Sequence, residues 1–120
     1  MTCLLSLTAI SCSRSESPRS EASVPMVAIL KAAKSADATM FRDAYSARIR
    51  QDDQPSDWGK NLQEAQVNMK EKFGDYQITD FTFSFAGDNA KGKLEVIFKG
   101  KAQFALAVVK EGGAWKLDER

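Results

Sequence analysis

The spacing of apolar residues changes from a helical period to an alternating one close to Gly74. Before that point, apolar side chains recur every three or four positions, which is the period of one face of a helix. After it, they recur every second position, as they do on one face of a strand. The pattern therefore predicts helices first and a sheet afterwards.

Three helices are predicted before the change of period. The first opens at Pro25, which is tolerated in a first helical turn. The second follows Asp37, a good N-cap, and continues as one helix through Ile49. The third follows Ser56 as N-cap and ends at Gly74. Its apolar stripe consists of Trp58, Leu62, Ala65, Met69 and Phe73.

Four strands are predicted after the helices, with turn residues between them. Phe81, Phe83 and Phe85 share one face of the first strand, and a bulge or bend is expected near Asp80. Residues 87–90, Gly-Asp-Asn-Ala, form a turn before the second strand. The third strand, residues 101–110, is apolar on both faces and is expected to be central or covered on both sides. Residues 111–113, Glu-Gly-Gly, turn the chain into a short last strand, residues 114–118.

Helices followed by an antiparallel meander define the α+β class. We expect the N-terminal helices to pack on a curved antiparallel sheet of about four strands. This domain is predicted to comprise residues 25–120.

An apolar run, residues 4–10, precedes the strongly polar residues 13–23. The run is too short to span a bilayer, which takes roughly 20 residues, but it suits the apolar part of a signal peptide. Residues 9–12, Ala-Ile-Ser-Cys, resemble the lipobox of bacterial lipoproteins, in which the cysteine becomes the lipidated N-terminus. The resemblance implies a signal peptide over residues 1–11, truncated because no basic residue precedes Leu4. It also implies a lipid on Cys12 and a flexible tether over residues 12–24.

Two other interpretations of the cysteines stay open. Cys3 and Cys12 are ordinary thiols on the N-terminal segment, or they form a disulfide across a short loop. Cleavage before Cys12 would remove Cys3 and leave no partner for a disulfide. The lipoprotein interpretation places the protein in the bacterial cell envelope, anchored to the extracytoplasmic face of a membrane.

Charge and composition exclude several classes of function. The 120 residues include 17 Lys and Arg and 16 Asp and Glu, interspersed along the chain. Nucleic-acid binding needs a clustered positive excess, so no nucleic-acid partner is expected. The chain has no His and two Cys, which argues against the usual zinc sites. Asp52, Asp53 and Asp57 lack the glycine-centred spacing of a calcium loop, and neither a metal nor a cofactor is predicted.

Lysines gather around the second hairpin, at positions 91, 93, 99 and 101. They are suited to anionic headgroups or to an acidic partner. They are equally suited to discouraging contact between sheets at an edge strand, and this second interpretation is favoured.

The chain from Val24 onward resembles the nuclear-transport-factor-2-like superfamily, in particular its small bacterial lipoprotein domains of unknown function. The resemblance rests on the Ala36-Asp37-Ala38 turn, on the long third helix and on residues 109–117, VKEGGAWKL. It implies a cone, in which a bent sheet wraps around a helix and leaves a pocket. Enzymes of the superfamily place acidic residues and His in that pocket, and this chain has no His. Cystatin-like inhibitors share the helix-on-sheet layout, but their Gln-Val-Val-Ala-Gly type loop is not present.

Six residues are candidates for lining the pocket: Tyr45, Trp58, Asp80, Phe83, Phe104 and Trp115. Large aromatic side chains are common in ligand pockets, but a small domain also needs them in its core, which is the favoured interpretation. Asp80 stands beside three Phe, where burial would suit a general base. An exposed position at a strand edge or bulge is the favoured alternative for Asp80, because unpaired buried carboxylates are rare.

The preferred functional hypothesis is a non-catalytic, membrane-anchored envelope lipoprotein whose domain binds a small ligand or a protein. The alternative is a small enzyme of the isomerase or dehydratase type that works through a buried acid such as Asp80. A purely structural subunit would instead show an exposed apolar sheet face.

Overall fold

The computed structural model describes residues 17–52 and 57–120, with side chains from Glu21 onward. In this part of the chain four helices precede four strands, which confirms the α+β class. The helices are α1 (Ser17–Ser35), α2 (Ala38–Asp43), α3 (Ala47–Asp52) and α4 (Asp57–Phe73). The strands are β1 (Phe81–Gly87), β2 (Lys91–Phe98), β3 (Lys101–Glu111) and β4 (Ala114–Leu117), in one antiparallel sheet of order β1-β2-β3-β4.

Helix α1 begins at Ser17, before the predicted start at Pro25. Pro25 lies inside the helix and is buried, and Ala22 is completely buried one turn earlier. Ala22 is a small apolar residue among mostly polar ones and produces no visible helical period, so the pattern did not predict this turn. The domain therefore includes residues 17–24, which the sequence had assigned to the tether. The predicted signal peptide and Cys12 lie outside the described residues.

The predicted second helix is two helices, α2 and α3. Asp37 is the N-cap of α2, as predicted, because its Oδ1 accepts a hydrogen bond from the Met40 amide at 3.0 Å. The break, residues 44–46, is called the connector below. In it the Ser46 amide donates to the Leu117 carbonyl, and the Leu117 amide donates to the Ala44 carbonyl, each at 2.8 Å. These bonds form an isolated parallel bridge with β4, and they take the place of helical hydrogen bonds.

The side chains around the connector are tied to the chain beyond β4. Ser46 is completely buried, and its Oγ donates to Oδ1 of Asp118 at 2.7 Å. Nε of Arg48 donates to the same oxygen at 3.2 Å. Burial alone would raise the pKa of Asp118, but the hydrogen bonds from Ser46 and Arg48 and the charge of Arg48 outweigh it. The pKa of Asp118 therefore lies below its usual value.

The strand predictions agree with the structure in order and in phase. On the inner face of the sheet, Phe85, Leu94 and Leu106 stand in one row across three strands. The predicted bend before β1 is a 3₁₀ turn at Ile78–Asp80, and the ladder shifts register instead between Val96 and Ile97. Strand β3 is central, as predicted, although Ala105 and its neighbours on the outer face are not fully buried. The core between helices and sheet includes Met26, Leu30, Leu94, Val96, Val108 and Leu117.

The backbone of α1 comes close to both edge strands of the sheet, β1 and β4. The Phe85 ring lies over Gly92, where an added Cβ would stand 2.5 Å from the ring and 2.5 Å from the Ala86 carbonyl oxygen. From there the ring meets Trp115 of β4 edge to face, with centroids 5.4 Å apart. Gly92 therefore permits an aromatic contact between the two edges of the sheet.

We predict that Gly92→Ala destabilises the domain by about 1–3 kcal/mol, because the methyl group would displace both the Phe85 ring and the backbone of β1. Urea denaturation followed by far-UV circular dichroism measures the effect. Gly59→Ala on α4 is the control, because an added Cβ there meets nothing within 4 Å. This control should stabilise the protein slightly, since Ala is the better helix former. An unchanged midpoint for Gly92→Ala would contradict the packing described.

We predict that Asp118→Asn flattens the loss of stability in acid. A carboxylate whose pKa is lowered by folding contributes stability above its unfolded pKa of about 3.9, and this contribution disappears as the pH falls through the folded value. Denaturation midpoints between about pH 6 and pH 2 should therefore fall more steeply for the parent than for the variant. Asp75→Asn is the control, because the Asp75 side chain is 99% exposed. Parallel curves for parent and Asp118→Asn would refute the assignment.

Candidate ligand cleft

A cleft of about 340 Å³ lies between α4 and β3, with α1 at its base. Its apolar walls include residues of α1, α4 and β3, namely Met26, Ile29, Ala65, Met69, Phe104 and Leu106. Helix α4 packs against α1 and α2. The name cleft is kept below for the space between α4 and the sheet.

The first half of α4 is held by aromatic packing. Trp58 contacts the rings of Phe41 and Tyr45 at centroid distances of 5.9 and 5.4 Å. Phe41 and Tyr45 also meet each other edge to face at 5.5 Å. These three rings fix the start of α4 to α2 and to the connector.

The last turn of α4 is held by a second aromatic cluster. Phe73 meets Phe81 at 5.0 Å, Phe98 at 4.8 Å and Tyr76 at 6.3 Å. The Tyr76 hydroxyl donates to the Leu30 carbonyl at 2.6 Å, and burial raises the pKa of this tyrosine. The end of α4 is thereby fixed to the sheet and to α1.

Among the described residues, no aromatic cluster holds the middle of α4 against the sheet. Ala65 and Met69 belong to the same apolar stripe as Trp58 and Phe73, yet they are only half-buried. Opposite them, Phe104 and Leu106 are also half-buried although β3 is a central strand. The cleft therefore exists because α4 is fixed at both ends and carries a small and a flexible side chain between them.

The rim of the cleft is polar and includes Asn68, Lys72, Glu119 and Arg120. Nζ of Lys72 lies 5.4 Å from the centroid of the Phe104 ring, within range of a cation–π interaction. Glu119 Oε1 accepts a hydrogen bond from the Ala107 amide at 2.7 Å and lies 3.3 Å from Nζ of Lys93. The amide and the lysine together lower the pKa of Glu119.

The aromatic candidates from the sequence lie in several places. Tyr45 and Phe104 line the cleft, and the Trp58 ring packs against Tyr45 without lining the cleft itself. Trp115 is 5% exposed and lines a separate groove between α1 and the turn before β4. Phe83 is half-buried against the core. The structure thus brings two of the five aromatic candidates together at one cleft.

Asp80 lies in the 3₁₀ turn and does not line the cleft. Its carboxylate accepts a hydrogen bond from the Gln77 amide at 2.9 Å, and its own amide donates to the Gln77 carbonyl at 3.0 Å. Its carbonyl accepts from the Lys99 amide at 2.8 Å. These bonds give Asp80 a structural role at the entry to β1.

Sequence reasoning missed the polar rim, although a signal was present. Asn68 lies three residues and Lys72 seven residues after Ala65, which puts both on the side of α4 that carries the apolar stripe. Glu119 could not be found in this way, because only the pairing of β4 with β3 carries the chain back to Ala107.

The lysines around the second hairpin do not lie on an edge strand of the sheet. Strands β2 and β3, which carry Lys91, Lys93 and Lys101, are the central strands of the sheet. The favoured interpretation of these lysines is therefore corrected, and Lys93 instead forms the ion pair with Glu119.

In the described part of the chain, no three Cys, His, Asp or Glu side chains are grouped so that they could hold a metal ion. Over the same residues, no helix has the length and apolar character needed to cross a membrane.

Comparison with protein-family models, with curated proteins and with solved structures found no match.

Proposed function

We propose that the domain is a non-catalytic binding module whose ligand occupies the cleft. The observation that carries this proposal is an apolar space of about 340 Å³ with a polar rim at its mouth. Small-molecule sites have roughly this form, with volumes of about 300–1,000 Å³ and a few polar groups that orient the ligand.

The groups that line the cleft favour binding over catalysis. The chain has no His, and Asp80 lies outside the cleft. The carboxylate of Glu119 is already engaged by the Ala107 amide and by Lys93. No observation favours the alternative, an isomerase or dehydratase that uses Asp80 as its acid.

A nuclear-transport-factor-2-like cone is the fold proposed for this module. In its support, α1 lies close to both edge strands, and Phe85 of β1 touches Trp115 of β4. A sheet that bends around a helix would leave a space between the two, and the cleft between α4 and β3 would correspond to that space.

A lipid anchor at Cys12 and a location at the bacterial envelope complete the proposal. They rest on the sequence, namely the apolar residues 4–10 and the Ser11-Cys12 pair. Since α1 begins at Ser17, a tether from Cys12 would have five residue steps and span at most about 17 Å. The domain would then sit close to the membrane surface.

We predict that Ala65→Phe abolishes binding of the neutral fluorophore N-phenylnaphthylamine, because the larger ring would fill the cleft. Fluorescence titration measures the binding, and the parent should bind one probe per chain. Val67→Phe is the matched control, since Val67 is 57% exposed on the same helix and does not line the cleft. Leu106→Phe narrows the same cleft from β3 and should reproduce the loss. Equal binding by the parent and both cleft variants would refute the site.

We predict that the mature protein begins at Cys12 and carries acyl chains, when it is expressed in bacteria with a complete signal peptide. Intact-mass analysis and membrane fractionation test this prediction. Cys12→Ser should move the protein to the soluble fraction with an unchanged unfolding midpoint, because Cys12 precedes the packed domain. Cys3→Ser is the control and should leave the location unchanged. A mature chain that retains residues 1–11 would refute the anchor.

A further inference from the structure

We infer that the ligand of the cleft is an alkyl carboxylate, with its chain between α4 and β3 and its carboxylate at Lys72. This inference rests on the proposed function and names the chemical class of the ligand.

The walls suit a flexible alkyl chain. Met26 and Met69 lie on two different helices that face the cleft, and Leu106 lies opposite them on β3. Methionine side chains adapt their shape to an irregular apolar partner.

Lys72 is the charged group best placed to meet a ligand at the rim. Its ammonium lies over the Phe104 ring, which itself lines the cleft. None of the ion pairs found among the described residues includes Lys72. A carboxylate placed above Phe104 would give this ammonium a charge-assisted hydrogen bond at the boundary between apolar wall and solvent.

The remaining charges at the rim also favour an anion. Glu119 is the one acidic side chain among the described residues that line the cleft, and Lys93 pairs with it at 3.3 Å. Lys72 and Arg120 are the basic ones. Since Lys93 pairs with this carboxylate, the basic side chains of the lining outnumber the acidic ones. An organic cation of the same length would meet this positive excess.

The test compares decanoate with decyltrimethylammonium, which has the same chain and the opposite charge, by isothermal titration calorimetry on the folded chain. Decanoate should bind at least about tenfold more tightly, since a hydrogen bond to a charged group contributes about 1.5–3 kcal/mol. Lys72→Gln should weaken decanoate binding by about tenfold or more, and should weaken it much more than it weakens binding of neutral N-phenylnaphthylamine. Lys72→Arg should retain most of the affinity. Lys70→Gln, a lysine on the same helix that does not line the cleft, should change nothing.

The outcomes separate this inference from the proposed function. If N-phenylnaphthylamine binds but decanoate shows no advantage over the ammonium compound, the carboxylate assignment is overturned and the binding module stands. If Lys72→Gln and Lys70→Gln weaken decanoate equally, the attraction is a general surface effect and the role of Lys72 is refuted. If neither probe binds, the proposed function fails and the inference fails with it. Tighter binding of a lysophosphatidylglycerol with the same acyl chain would assign the site to a lipid headgroup and would also overturn the inference.

Discussion

The pairing of the connector with β4 is the contact on which the arrangement of layers depends. Two backbone hydrogen bonds with Leu117 lie between the end of α2 and the start of α3. They pair the free edge of β4 at this residue. An edge strand without such a pairing presents unpaired amides and carbonyls to other chains. The bond between Ser46 and Asp118, 72 residues apart, supports this pairing, because the buried Ser46 hydroxyl would be costly to leave unpaired. Helices and sheet are thus joined by hydrogen bonds as well as by apolar packing.

The cleft follows from this junction. Since the connector carries Tyr45, it also positions the aromatic cluster that holds the start of α4. Phe73 holds the other end against β1 and β2. A helix of 17 residues held at its two ends spans the space between them without collapsing onto β3. The space is therefore preformed, and a ligand would not have to open it, which lowers the entropic cost of binding.

The features that local sequence determines were predictable, and those that depend on distant partners were not. Asp37 caps a helix through its own side chain, and the stripe of α4 and the alternation of β1 to β4 are local patterns, so all were readable. The break at Ser46 was not, because its partner Leu117 lies on the last strand. Tyr45 and Phe104 were recognised as cleft candidates from residue type alone. For Asp80 the favoured interpretation, a position at a strand edge or bulge, was close to the turn before β1 in which it lies, whereas its hydrogen bond with Gln77 was not predicted.

The two tryptophans lie in different layers, so the fluorescence of each reports on a different part of the molecule. Trp58 belongs to the helical layer, where the rings of Phe41 and Tyr45 surround it beside the cleft. Trp115 belongs to the sheet, where its ring contacts that of Phe85 on the opposite edge strand. Emission from the first therefore reports on the helices beside the cleft, and emission from the second on the contact between the two edge strands. A chain with either tryptophan replaced by Phe would show whether the two layers unfold together or one after the other.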